Sequence, residues 1–267
     1  MPIEFPGTTK PVTKDEYHGL DYRVMGQVFR IQNDLGRLFS ERIYQREIAV
    51  RCREVGLEVD AEVPVHLSFG AFKKTCFIDL LVEQAVVYEL KAVEALHEKH
   101  RCQALNYLFL TGLGFGKLVN MASASVQHEF VTTSLTPNDR FDFAVQDDEW
   151  KDLDGDGSWL RESFQRLVED WGLFLDVNLY REALCCLRGG EEKCVAPVAV
   201  CAGGRMLGWE PMDVLNPVTA FRVTALRDGA GAYEPHLKKL LGNTALDAIQ
   251  WINLSGHEVT FKTLLKA

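Results

Sequence analysis

The chain has 267 residues, of which 47% are hydrophobic and 25% charged. That composition suits one large globular domain or two of ordinary size, and no apolar run approaches the ~18–20 residues that a membrane-spanning helix needs. The formal charge of −9 argues against broad, non-specific binding to polyanions. It is uneven: residues 1–135 carry 15 Lys+Arg and 17 Asp+Glu (net −2), and residues 136–267 carry 14 and 21 (net −7). A local basic face therefore suits the first half better. The opening stretch MPIEFPGTTKPVTKDEYHG has no apolar core and does not read as a signal peptide. Seven cysteines without a C-x-x-C pair point to free thiols in a reducing, cytoplasmic setting. Four of them, Cys185, Cys186, Cys194 and Cys201, lie on apolar stretches unsuited to a metal site.

In chain order, residues 1–19 read as an unstructured lead-in. Helical periodicity begins near Asp21, a candidate N-cap, with Val24, Val28, Ile31 and Leu35 on one face and Gly36 at the end. A second helix is expected over 39–53. The period then changes to two in LEVDAEVPVHLSF, and TCFIDLLVE and AVVYELKAV follow as richer strands. EKHRCQALNYLFLTG returns to helical period, and GKLVNM and EFVTTSL are short strands. This order predicts an α/β layout with a mixed sheet over residues 20–135. Residues 136–158 carry eight acids between Asp139 and Asp156 and read as a linker.

Residues 159–267 repeat the pattern. With residues 27–44 shifted by 136, Arg30, Asp34, Gly36 and Tyr44 meet Arg166, Asp170, Gly172 and Tyr180. With residues 64–121 shifted by 133, Pro64, Gly70, Thr111 and Asn120 meet Pro197, Gly203, Thr244 and Asn253. One offset held over so long a run indicates an internal duplication.

The chemistry-bearing residues lie in the first half. Asp79 ends an apolar strand, and Glu89 and Lys91 stand on the next, where residues i and i+2 share a face. Carboxylates on an otherwise apolar sheet need a partner. An all-oxygen donor set suits Mg²⁺ or Mn²⁺. A lysine beside such a metal can orient a water and stabilise charge developing on phosphate. The bland alternative is a solvated strand face with a cross-strand ion pair. Two further pairs share helix faces: Glu41 with Tyr44, and Gln103 with Tyr107.

The segments LFSERIYQREIA, VPVHLSF, FIDLLVE, VVYELKAVEAL, QALNYLFLTGL and FGKLVNM together resemble the GxxExxY proteins of the PD-(D/E)XK nuclease superfamily, over about Leu20 to Val131. The resemblance implies a restriction-endonuclease-like fold in which Asp79 and Glu89 hold a divalent metal and Lys91 positions the hydrolytic water. It implies that Glu41 is a helix-borne acid at the metal. Gln103 and Tyr107 look like the Q-x-x-x-Y element of RecB-like members, placed beside the substrate, and Tyr44 is the motif tyrosine. Leu38 stands where the motif opens with glycine, and Ile78 where the superfamily's proline stands.

At the same shifts the second half places Met212, Arg222 and Thr224 under Asp79, Glu89 and Lys91, and Val177 under Glu41. His236 and Leu240 fall under Gln103 and Tyr107. The expectation is a tandem pair of PD-(D/E)XK-like domains forming a pseudo-dimer, the first with an intact site and the second degenerate. DLDGDGSWLRES at 152–163 resembles an EF-hand loop, but Ser163 stands where a glutamate is required. His97 and His100 open a helix near the site and can approach phosphate. The expected activity is metal-dependent phosphodiester hydrolysis of nucleic acid, with DNA the expected polymer. The alternative is a non-catalytic nucleic-acid-binding or scaffold protein that keeps the fold.

Overall fold

The computed structural model describes residues 2–266. The chain divides into two units, one of Met1–Ser68 and Lys73–Pro137, the other of Phe69–Phe72 and Asn138–Ala267. Each is a mixed sheet flanked by helices.

In the first unit, helix α1 (Lys14–Leu35) starts well before Asp21. Its signal is the capping box Thr13-x-x-Glu16: the Thr13 hydroxyl accepts the Glu16 N–H, and the Glu16 carboxylate accepts the Thr13 N–H. The first residues are not a bare lead-in either, because β1 (Ile3–Glu4) pairs with β2 (Val59–Phe69). Asp21 lies inside the helix and pairs with Lys117 at 2.7 Å. Val24, Val28 and Ile31 are buried, as the periodicity requires. Helix α2 (Glu41–Glu54) follows. Then come β3 (Phe72–Val82), β4 (Val86–Lys91), helix α3 (Glu98–Thr111), β5 (Phe115–Asn120) and β6 (Gln127–Thr132).

The sheet order is β1-β2-β3-β4-β5-β6. Strands β4 and β5 are parallel, joined by the α3 crossover, while β3–β4 and β5–β6 are antiparallel. Two left-handed residues, Glu83 (φ 52°) and Gln84 (φ 56°), turn β3 into β4 and set the pairing Leu80↔Tyr88. Leu80, Val82, Tyr88 and Leu90 pack with α1 and α2 in one core. Asp79, Glu89 and Lys91 alternate with them and so face the other side of the sheet, where α3 packs.

The second unit contains β7 (Ala144–Glu149), α4 (Asp156–Trp171), α5 (Val177–Leu187), the short α6 (Glu191–Cys194), β8 (Val195–Ala202), β9 (Arg205–Asn216), β10 (Thr219–Thr224), α7 (Ala230–Gly242), β11 (Ala248–Ser255) and β12 (Glu258–Leu265). Its sheet order is β7-β12-β11-β10-β9-β8, with β10 and β11 parallel. The stretch expected as a linker contributes β7, parallel to β12 at the sheet edge. Three of its eight acids, Asp147, Asp148 and Glu149, lie in this edge strand, which keeps much of its surface in water and so hides from hydropathy.

The EF-hand resemblance has a different physical basis. Asp152 accepts the Ser158 N–H at 3.0 Å, and Asp156 pairs with Arg188 at 2.8 Å. The acids at the first and fifth positions of the loop thus serve the start of α4 and an ion pair.

The expectation of free thiols fails at one pair, because Cys185 and Cys194 form a disulfide with Cα atoms 5.2 Å apart. Gly189 and Gly190, at φ 101° and 105°, turn the chain back so that α6 returns to α5. The other five cysteines form no disulfide. The Asp213 carboxylate lies within 4.8 Å of both sulfurs but is held by Arg181 at 2.6 Å. Among the described residues no helix is long and apolar enough to cross a membrane.

Candidate metal centre

Three elements of the first unit converge on one point. The β3–β4 register carries Asp79 alongside Glu89, and its Oδ2 accepts the Leu90 N–H at 2.7 Å. Lys91, two residues along β4, donates from Nζ to Glu89 Oε1 at 2.6 Å and to the Leu90 carbonyl at 2.7 Å. Glu41 opens α2, and its carboxylate stands 3.9 Å from Lys91 Nζ. One turn further along α2, the buried Gln45 donates to the Asp79 carbonyl at 3.0 Å, fixing the helix against the strand that carries the acid.

Burial makes this cluster unusual. Glu89 is 1% exposed and Lys91 8%. Burial, with Asp79 beside it, pushes the Glu89 carboxyl up to about 8 against the pull of Lys91. Burial also pushes Asp79 up to about 6; the Leu90 N–H and Lys91 oppose this, and Glu41 and Glu62 add to it. Burial alone would lower Lys91, but Glu89, Glu41 and Asp79 outweigh it and hold the ammonium protonated. Glu89 Oε2 is buried and has no hydrogen-bond partner among the described residues. Three carboxylates thus face one lysine, and one buried oxygen is left unmatched. An all-oxygen set with surplus negative charge is what a hard divalent cation satisfies. The residues present fit Mg²⁺ or Mn²⁺.

Residues 18–132 match the family model of the PD-(D/E)XK nuclease superfamily. That match covers under half of the chain, and the acid–lysine cluster lies inside it. A search of curated proteins finds no match. Among solved structures, the crystal structure of SSO0001 is similar at 18% identity with a TM-score of 0.30, covering 47% of this chain and 62% of that one. The chain thus spans under two thirds of that protein's length.

The remaining sequence-predicted residues of the first unit fall into two groups. Tyr107 lies near the acids: it is buried, hydrogen-bonded to Gln103, and its hydroxyl is raised by burial, with Glu89 and Asp79 adding to the effect. Tyr44 lies elsewhere. Its side chain is fully buried, its hydroxyl donates to the Gly36 carbonyl at 2.7 Å, and it accepts the Phe39 N–H at 3.2 Å. It ties down the loop before Glu41, so it suits a positioning role better than contact with substrate. That loop replaces the motif glycine with Leu38, which is 91% exposed.

Of two further residues near the site, His100 is expected there from its place at the start of α3, and Glu62 carries no sequence signal of its own. Glu62 raises Asp79 through space and sits at φ 54° inside β2, a local irregularity that alternation cannot reveal. His100 receives the His97 N–H on Nδ1 and is lowered by burial and by Lys91, so it lies within electrostatic range of the site.

Proposed function

We propose that the first unit hydrolyses phosphodiester bonds in nucleic acid, with DNA as the polymer. Asp79 and Glu89 would hold Mg²⁺ or Mn²⁺, with Glu41 as a third acid at the edge. The bound cation would act as a Lewis acid on phosphate and lower the pKa of a coordinated water. Lys91, kept protonated by the carboxylates around it, orients the attacking water and places positive charge where the phosphate gains negative charge. Gln103 and Tyr107 line the substrate side on α3. Tyr44 and Gln45 hold Glu41 and Asp79 in register. The observation that carries this reading is the convergence of Asp79, Glu89 and Lys91 around an unmatched, buried carboxylate oxygen.

The same proposal assigns the chain to the GxxExxY group. It reads residues 159–267 of the second unit as a degenerate copy forming a tandem pair, with an internal pseudo-dimer as part of that reading. Its support is the run of elements shared apart from the short α6, two helices, three strands, a helix and two strands, with the strands on either side of the last helix parallel in each. A cytoplasmic setting belongs to the same proposal.

The test is cleavage of labelled single- and double-stranded DNA and RNA with Mg²⁺ or Mn²⁺, beside a Lys91→Ala control and metal binding by calorimetry. Metal-dependent cleavage lost in the control supports the proposal. Absence of both cleavage and metal binding overturns it and leaves a fold kept for binding.

A further inference from the structure

A cleft of about 550 Å³ runs over the outer face of α1 in the first unit. Its volume lies within the range of small-ligand sites. Its floor is Gly26, where an added Cβ would meet nothing within 4 Å. Glycine inside a helix costs about 1 kcal/mol relative to alanine, and no close contact here requires it. Helical spacing gathers Tyr22, Arg23, Phe29 and Arg30 around that floor. Tyr22 is 83% exposed and Phe29 44%. Neither arginine has an acidic partner among the described residues; Arg23 is steadied by donating to the Val55 carbonyl at 2.7 Å.

A second observation points to a ligand. Gln27 is 9% exposed and lines the cleft, and its amide has no hydrogen-bond partner among the described residues. Its polar atoms stay open to the water of the cleft, which a ligand edge can replace. At the far end Lys117 neutralises Asp21, so the cleft keeps a net positive charge in a chain of −9.

We propose that this cleft binds a nucleotide, its phosphate on Arg23 and Arg30, its base against Tyr22 and Phe29 and reaching the Gln27 amide. Two unpaired guanidiniums bind phosphate through directed N–H donors, and exposed rings offer a stacking face to a base. A simple acidic peptide would use the cations and leave the rings and the amide idle. The cleft is distinct from the metal centre. Tyr88 reaches Asp21 at 3.2 Å on the α1 side, while its neighbour Glu89 faces the other side of the sheet. The proposal does not rest on the hydrolase reading, because its readout is binding with metal removed.

The nucleotide is either free or part of a single strand, and the experiment separates the two. Metal-free protein in EDTA is titrated with AMP and with inorganic phosphate by calorimetry, and with fluorescein-labelled dT12 by anisotropy. The variants are Arg30→Ala, Tyr22→Ala and Gly26→Leu. Gly26→Leu fills the floor while improving helix propensity, so loss of binding there is not loss of folding. The expected result is binding of AMP or dT12 that each variant weakens about tenfold or more, in line with the stacking energy of one base. The arm that binds identifies the source. The proposal is overturned by no binding in either arm, by binding that survives all three changes, or by phosphate binding as tightly as AMP.

Discussion

The two units keep the same structural hydrogen bonds and differ at the chemistry. In the first, the Tyr44 hydroxyl bonds the Gly36 carbonyl and the Phe39 N–H; in the second, Tyr180 bonds the Gly172 carbonyl and the Leu175 N–H. Asn120 clasps both backbone groups of Val93, and Asn253 clasps both of Leu226. Thr111 and Thr244 each donate to a carbonyl of the preceding turn, Leu108 and Leu241. Where the first unit has Asp79, Glu89 and Lys91, the second has Met212, which packs on the core, Arg222, which is exposed, and Thr224, which accepts the Trp251 Nε1–H at 2.9 Å. Side chains that satisfy buried backbone groups serve the fold and stand in both units. Buried carboxylates cost stability until something binds them, and only the first unit carries that cost at these positions.

The sharpest way to break this comparison is the lysine. Lys91→Ala should lower the metal-dependent cleavage rate by about 10²–10³-fold or more, while Thr224→Ala leaves it unchanged. Equal effects in initial-rate assays would remove the distinction between the units.

The two helix-ending glycines come next. Both have φ near +70°. A Cβ on Gly172 would meet Arg140 Cβ at 2.8 Å and its carbonyl oxygen at 3.0 Å, whereas one on Gly36 meets nothing within 4 Å. Gly172→Ala should therefore cost about 3 kcal/mol or more in urea unfolding, and Gly36→Ala about 1–2 kcal/mol from backbone strain alone.

The paired tyrosines should behave alike. Tyr44→Phe and Tyr180→Phe each strand two backbone groups, for about 1–3 kcal/mol apiece. In the first unit the change should also slow cleavage, because the freed loop carries Glu41; a stability loss with an unchanged rate would refute that positioning role.

The smallest expected effect is the pH dependence of the metal-free first unit. Asp79 and Glu89 are raised to about 6 and about 8 from 3.8 and 4.5. Between the unfolded and folded values the native state binds more protons, so stability is full at acid pH and falls as pH rises toward 8. In EDTA the melting temperature should drop by on the order of 5 °C across that window, and Mg²⁺ or Mn²⁺ should restore it. Asp79→Asn removes one of the crowded charges and should flatten the fall. A melting temperature that rises over the same range would contradict the crowding of these carboxylates.

Much of the first unit was legible in the chain. The helical stripe Val24, Val28 and Ile31, the alternating strand before Phe69 and the Glu-x-Lys pair all follow local periodicities, and the structure places them accordingly. The start of α1 was also written there, as Thr13-x-x-Glu16, but the later Asp21 offered a competing cap with the same chemistry. Strand β7 was hidden because an edge strand with its acids in water has no apolar alternation to detect. The Cys185–Cys194 bond was hidden because its geometry depends on two glycines adopting positive φ.

Sequence alone determined which side chains are available and which share a strand or helix face, because periods of 2 and 3.6 are set by the backbone. That was enough to bring out Asp79, Glu89 and Lys91, and to align the second half with the first. Only the tertiary structure decided which oxygen of Glu89 is left unmatched, that Tyr44 ties a loop, and that Glu62 adds to the field at Asp79. It alone decided that Gly26 opens a cleft among aromatic and cationic side chains. Those properties depend on what lies across the sheet or beside the helix, and burial and electrostatic coupling are set by neighbours in space that the order of residues does not specify.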